Sequence, residues 1–378
     1  MDFRDFRKFT KINSTPSLLG YGCMRFPTTN DNIDEEKSYA LLKAAVEGGV
    51  NYFDTAYVYH GGKSEEFLGS FLKKYMSKEN RPRESYYVAD KLPTWEINSL
   101  DDAKRIFSEQ LNRLQIDYID FYLLHDLKID RFEKMEKLGV YDYCRELQKE
   151  GKIRHLGHSS HENLNNFTKI VNGRDWDFIM LQLNYMDLSN LEMYKLCEEK
   201  GIPVLAMEPV RGGSLSKLPD NILSNFTDIN PGASPSSWAI RWTGSLPEVK
   251  VILSGMSDMK QVEDNLNTCG NFEPLNPAEK LAVERVETAL RKRVHNKCTG
   301  CNYCMPCPAG VNIPWCFSIW NGYAIYENRG HSNWEWSMVN AANRPEQCTE
   351  CGKCNEICPQ NIDVINDLER VQSDMESL

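Results

Sequence analysis

The sequence predicts an α/β chain, a parallel (β/α)8 TIM barrel with a second, smaller, mainly helical domain at its C-terminus. Three observations carry this reading. Short apolar runs alternate with amphipathic stretches eight times between Leu18 and about Asn267. No G-x-G-x-x-G follows an early strand, as an open doubly wound sheet would have it. Cysteine density changes abruptly near Asn296, which sets the expected domains at 1–296 and 297–378.

In chain order the strands are "LLGYGC", "VNYFDT", "YYVADK", "DFYLLH", "IRHLGHS", "FIMLQLN", "IPVLAME" and "VKVILSG". Helices are predicted at "DEEKSYALLKAAVEGG", "KSEEFLGSFLKKYM", "SLDDAKRIFSEQLNRL" and "NLEMYKLCEEKG", several ending at glycine, the usual stop after a helix C-terminus. "NPAEKLAVERVETALRKR" (276–293) reads as one more amphipathic helix, which leaves the barrel. Beyond it, the aromatic-rich segment "IPWCFSIWNGYAIYENRGHSNWEWSMVNAANRP" is expected to be partly helical.

The 378 residues, 41% hydrophobic and 26% charged, have ordinary globular composition and enough apolar surface for a full core. A net charge of −10 with both signs mixed along the chain argues against nucleic acid as a partner. "MDFRDFRKFT" lacks the apolar stretch of a signal peptide, and no run approaches the ~18 apolar residues of a membrane span, so a cytoplasmic protein is expected.

Barrel enzymes place reacting groups at the C-terminal ends of their strands. Four polar residues stand there: Asp54 and Tyr59 in "FDTAYVYHGGKSEE", Lys91 in "YYVADKLP" and His125 in "DFYLLHDL". Singly each has a bland reading as cap, solvated charge, packing ring or hydrogen-bonded core residue. Together they can form a site in which Lys91 lowers the pKa of Tyr59 while Asp54 holds the lysine. Trp95, on the loop after Lys91, is a candidate for lining that pocket or for packing on the barrel.

The order and spacing resemble the aldo-keto reductase family, whose F-D-T-A-x-x-Y-G-x-S-E motif is followed by a strand-end Lys and a strand-end His. "LGYGCMRFP", "LGHSSH", "LQLNYM", "AMEPVRGGSL" and "SGMSDMKQVEDNL" extend the likeness over about residues 17 to 290. The resemblance implies Tyr59 as general acid, Lys91 and Asp54 as its tuning pair and His125 as the group that orients a substrate carbonyl. It implies a nicotinamide cofactor, NADP(H) or NAD(H), and an aldehyde or ketone substrate. Ser159 and Gln182 match the carboxamide positions, Gly22 and Met24 border the ring, and Arg211, Gly212 and Gly213 match the pyrophosphate approach. Ser254, Gly255, Gln261 and Asn265 match the nucleotide segment after the last strand. The chain departs from the family at Ser160, where Asn is usual, and at Met207, where many members stack a Tyr. Lys260 is the only cation from Gly255 to Gln261, so no preference for the 2′-phosphate follows.

Of thirteen cysteines, Cys23, Cys144, Cys197, Cys269 and Cys316 are scattered, as small buried apolar residues are. The rest form two runs: Cys298, Cys301, Cys304 and Cys307 before Pro308, and Cys348, Cys351, Cys354 and Cys358 before Pro359. The second run matches the C-x2-C-x2-C-x3-C-P pattern of bacterial ferredoxins, whose fourth thiolate serves the other cluster. By that logic one [4Fe-4S] cluster takes Cys298, Cys301, Cys304 and Cys358, and a second takes Cys348, Cys351, Cys354 and Cys307. The first run closes after two residues instead of three, a departure at Cys307. Two zinc ions on C-x2-C pairs are the competing reading, although three cysteines within seven residues are foreign to most zinc sites.

A nicotinamide gives a hydride, whereas a cluster moves single electrons, and no flavin motif is evident to convert between them. The sequence therefore reads as a carbonyl oxidoreductase whose clusters stabilise the second domain, dock a redox protein partner or report redox state. The alternative is a regulatory or electron-transfer module in which the barrel only binds nucleotide.

Overall fold

A computed structural model describes residues 7, 9, 12–76, 81–188, 190–270 and 272–378. The chain divides into two compact units, residues 1–209 with 237–276, and residues 210–236 with 277–378.

In the first unit, eight parallel strands close into a barrel: Leu19–Gly22, Tyr52–Asp54, Tyr87–Pro93, Ile119–His125, Ile153–Ser160, Phe178–Gln182, Val204–Met207 and Val249–Ser254. They coincide with the eight predicted runs. Each strand pairs with its sequence neighbours, and the ring closes where Leu19 lies opposite Ile252 and Tyr21 opposite Phe53. Both faces of these strands are covered, which is why they read as nearly unbroken apolar runs: Ile119 through Leu124 are all buried. Phe9, Tyr52, Phe121, Phe178, Met180 and Val251 fill the barrel interior as one packed cluster. The helix Leu100–Leu114 begins at a reciprocal cap, with the Ser99 hydroxyl accepting from the Asp102 amide while the Asp102 carboxylate accepts from the Ser99 amide. "KSEEFLGSFLKKYM" becomes the helix Lys63–Phe71 with a wider turn over Leu72–Met76. Gly69 lets this helix lie directly on the end of the next: a Cβ there would stand 2.4 Å from the Arg113 carbonyl oxygen.

The second unit is helical. Ile313–Tyr326, Arg329–Met338 and Val364–Glu376 enclose Ile313, Phe317, Trp320, Trp336, Leu368 and Val371. Polar groups inside it are paired: Trp320 Nε1 donates to Asp374 over 2.7 Å, and Asn296 Nδ2 donates to Asp367 over 3.0 Å. The helix Pro277–Arg291, which buries Ala282, Val283, Val286 and Leu290, packs on the helix Asp220–Thr227 and falls in this unit. By packing, this helix groups with the C-terminal helices, whereas cysteine density marks where the ligand residues begin. Among the described residues no helix is long and apolar enough to cross a membrane.

Candidate active site and cluster cavity

Register brings the predicted tetrad to one rim. Gly22 lies beside Asp54, and Lys91 sits one strand on, beside Leu123 of the strand that ends at His125. Tyr59 opens the turn Tyr59–Gly62, in which Gly62 has φ +88°, a value suited to glycine. Lys91 is 1% exposed and its Nζ donates to three oxygens: Asp54 Oδ1 at 2.5 Å, the Thr55 carbonyl at 2.7 Å and the Tyr59 hydroxyl at 3.3 Å. The ammonium also stands 4.7 Å from the Tyr59 ring centroid.

Burial opposes the charge on Lys91, but Asp54 and Tyr59 outweigh it and hold the pKa above the usual lysine value. Burial raises Asp54, with Lys91 pulling it back. Tyr59 follows the same balance: burial raises its pKa, Lys91 lowers it, and the net direction is upward. The ammonium thus acts in the expected direction on the phenol, against a larger desolvation penalty that spacing in a sequence does not reveal.

His125 completes the rim. Its ring lies 6.0 Å from that of Tyr59 and 5.0 Å from that of Trp95, which brings the loop tryptophan to the site. Burial first, then the charge of Lys91, with smaller contributions from His161 and Arg131, pushes its pKa down to about 2. The imidazole is therefore neutral, and its buried Nδ1 has no partner among the described residues. Its backbone is pinned by the Thr94 hydroxyl, which donates to the His125 carbonyl over 2.7 Å.

Ser159 is buried beside His125, its hydroxyl accepting from the Asp126 amide over 2.8 Å and keeping its own hydrogen to donate. Gln182 donates its side-chain amide to Asp187 over 2.5 Å. A Cβ on Gly22 would stand 3.5 Å from the backbone of Ser254 and Gly255, so these stretches lie side by side, and Met24 is exposed nearby in sequence. Asn265 donates to the Ser254 hydroxyl over 2.8 Å, and Gln261 accepts from the Ser257 amide over 2.8 Å. Small residues, a hydroxyl donor and carboxamides on one rim suit a flat, amide-bearing ring. Arg211, Gly212 and Gly213 form a short turn with φ of +48°, +61° and +95° that belongs to the second unit.

In the second unit Cys298, Cys301, Cys304 and Cys358 line one cavity, walled by Ile313 and Phe317. Four thiols from two distant runs around an apolar hollow suit an iron–sulfur cluster by donor chemistry. Cys354 lies electrostatically close to Cys348 and Cys351, and Cys304 lies close to Cys354, so the two sets are neighbours. Cys307 is half-buried against the same core. Among the described residues no three His, Cys, Asp or Glu close on a single metal ion.

Residue patterns alone did not single out the Thr55 carbonyl, Thr94, or the pair Asp126 and Arg131, joined at 2.6 Å. Thr55 contributes only backbone and Thr94 acts through a carbonyl, so neither leaves a side-chain signature. Arg131, 5.4 Å from the Trp95 ring, lies on the helix Ile129–Lys137 and so has no strand-end position to mark it.

The profile of the aldo/keto reductase family matches residues 18–287, and that of a 4Fe-4S dicluster domain matches residues 297–362. The uncharacterized oxidoreductase YqkF of Bacillus subtilis is 27% identical over 289 residues, covering 69% of this chain and 89% of its own. L-galactose dehydrogenase of Arabidopsis thaliana is 25% identical over 280 residues, covering 68% and 86%. The holo form of aldo-keto reductase AKR11C1 from Bacillus halodurans superposes with a TM-score of 0.62 at 26% identity, covering 75% of this chain and 96% of that one. The chain belongs to the aldo/keto reductase family, as an NAD(P)H-dependent oxidoreductase with a 4Fe-4S ferredoxin-type domain following its barrel.

Proposed function

We propose that the protein reduces a small aldehyde or ketone to an alcohol, with Tyr59 as the general acid, Lys91 and Asp54 as its tuning pair and His125 as the carbonyl-orienting donor. The observation that carries this reading is the Lys91 ammonium shared between Asp54 at 2.5 Å and Tyr59 at 3.3 Å. A nicotinamide, when bound, supplies the hydride that the carbonyl carbon accepts. The chain supplies the rest. A carbonyl oxygen placed between Tyr59 and His125 receives two hydrogen bonds, one from the phenol and one from the neutral imidazole. Its developing negative charge draws the phenol proton across, and the phenolate left behind is stabilised by Lys91, whose own charge Asp54 fixes. A buried Tyr59 with a raised pKa holds its proton firmly until that charge develops. Trp95, its ring 5.0 Å from that of His125, would line the substrate pocket.

Ser159 and Gln182 would hold the carboxamide, with Gly22 and Met24 against the ring and Ser254, Gly255, Gln261 and Asn265 on the nucleotide segment. Lys260 alone in that segment supports either nucleotide. Two [4Fe-4S] clusters, on Cys298, Cys301, Cys304 and Cys358 and on Cys348, Cys351, Cys354 and Cys307, would sit in the 297–378 domain. There they stabilise the fold and offer exposed Cys301 and Cys351 edges to a redox protein partner. Such thiol use fits a reducing, cytoplasmic setting.

The test is Tyr59→Phe against a panel of carbonyls with NADPH and NADH. The reading expects turnover to fall by about 10²-fold or more with nucleotide binding and the visible cluster spectrum unchanged. Retained turnover removes Tyr59 as the acid. Tight nucleotide binding with no turnover in the unmutated protein favours the binding-module alternative.

A further inference from the structure

The third strand alternates: Ala89 faces the barrel interior, Lys91 reaches the rim, and Asp90 between them faces outward toward the helices Lys63–Phe71 and Leu100–Leu114. Asp90 and Glu65 are both 0% exposed, and the two carboxyls stand within hydrogen-bonding reach of each other. Asp90 Oδ1 accepts from the Lys91 amide over 2.8 Å, and Glu65 Oε2 accepts from Arg113 over 2.8 Å. The remaining oxygens, Asp90 Oδ2 and Glu65 Oε1, are buried and take no other partner among the described residues. Two carboxylates facing each other in a dry layer repel, and the one guanidinium at hand, Arg113, pairs with Glu65; a proton on Asp90 makes the contact a hydrogen bond.

We propose that Asp90 and Glu65 share one proton, and that this pair, carrying a single negative charge, is a positioning element that sets the electrostatic field behind Lys91. Its consequence for catalysis rests on the reading of Tyr59 as the acid. The charged and titratable groups around Asp90 are Glu65 and Arg113 on the helix side, Lys91 on its own strand, Tyr122 opposite it on the next strand, and Tyr59 and Cys23 toward the rim. Gln110 bridges the same layer, donating to the Lys91 carbonyl and accepting from Tyr122. With the proton in place the negative charge rests on the Glu65 side, against Arg113, and the ammonium is left to Asp54 and Tyr59. An ionised Asp90 raises the pKa of Tyr59, as does ionised Asp54. Burial and the Glu65 charge both favour the protonated form of Asp90.

Two isosteric amide swaps separate this role from a merely structural one. Asp90→Asn keeps the hydrogen bond to Glu65 and keeps the position next to Lys91 neutral. Glu65→Gln also keeps a hydrogen bond but leaves the negative charge on Asp90. The infrared carbonyl stretch of a protonated carboxyl is expected in the unmutated protein at neutral pH, removed by either swap and not further reduced by both together. The alkaline limb of the pH–rate profile is expected to move up by about one pH unit in Glu65→Gln and by less than half of that in Asp90→Asn. Absence of the band from the unmutated protein, a measurement independent of how the variants fold, overturns the proposal. Equal movement of the limb in both variants overturns the tuning role. Turnover retained by Tyr59→Phe would remove the acid without touching the infrared result, so the two failures are distinguishable.

Discussion

A lysine that is 1% exposed keeps its charge because three oxygens receive its three hydrogens, and one belongs to a carboxylate as buried as itself. Removing either partner strands the other. Lys91→Met is expected to cost about 3 kcal/mol or more of unfolding free energy as well as activity, because Asp54 is left as an uncompensated buried charge. Pairing it with Asp54→Leu is expected to restore stability and leave activity lost; denaturant midpoints of the single and double variants measure this. His125 behaves in the opposite way. Its pKa of about 2 means that it neither gains nor loses a proton between about pH 5 and about pH 8. kcat/KM is therefore expected to show no acid limb from His125 in that range, and His125→Asn, which keeps a donor, to keep the profile's shape at a lower rate. An acid limb near pH 6.5 that vanishes in His125→Asn would contradict the neutral imidazole. Asp54, Tyr59, Lys91 and His125 were legible in the sequence because each combines a chemistry-bearing type with a strand-end position. Asp90 was not legible, since it lies on a strand, its partner Glu65 on a helix, and only packing joins them.

At the scale of elements, the fifth strand carries a cost that acid exposes. His155 and His158, three residues apart on Ile153–Ser160, are held by burial at about 4 and about 3. The unfolded chain takes up protons at these rings below about pH 6.5, and the folded barrel resists until far lower. Stability is therefore complete above about pH 6.5 and is lost as pH falls toward 4, at most about 1.4 kcal/mol per unit for each ring. Urea unfolding at pH 7.5 and 5 is expected to show the loss, and His158→Gln to reduce its slope; an unchanged slope would mean that the ring is charged inside the barrel. Helix starts show a milder dependence on single groups. Ser99→Ala breaks the reciprocal cap of Leu100–Leu114 and is expected to cost about 1 kcal/mol in the same assay. The barrel itself was readable because eight strands buried on both faces leave eight short apolar runs. The wider turn at Leu72–Met76 was not, since its residues continue the helical pattern without a breaker.

For the whole molecule, the distinction that matters is between what cysteine spacing marks and what packing marks. Spacing places the ligands from Cys298 onward, yet the second unit also takes in the segment 210–236, which lies inside the family match 18–287, and the helix Pro277–Arg291, which begins inside it. The C-terminal core is modest. Its cysteines Cys298, Cys304, Cys307, Cys348, Cys354 and Cys358 pack against its apolar centre, so whatever they bind is part of that centre's closure. Ligation free energy at such a site is folding free energy. Anaerobic chelation of iron is therefore expected to bleach the visible spectrum and to lower the melting transition reported by the tryptophans of this core, Trp320 and Trp336. Cys358→Ser is expected to lose about half of the iron, since it removes a thiolate from the cavity of Cys298, Cys301 and Cys304 while sparing the other set. Full iron retention by Cys358→Ser would break the crossed assignment, and loss of all the iron would make the two sites one cooperative unit. Carbonyl reduction in the chelated protein, assayed below its lowered transition, is expected to persist, because the proposed acid Tyr59 and the pair Lys91 and Asp54 that would tune it all lie within the barrel unit.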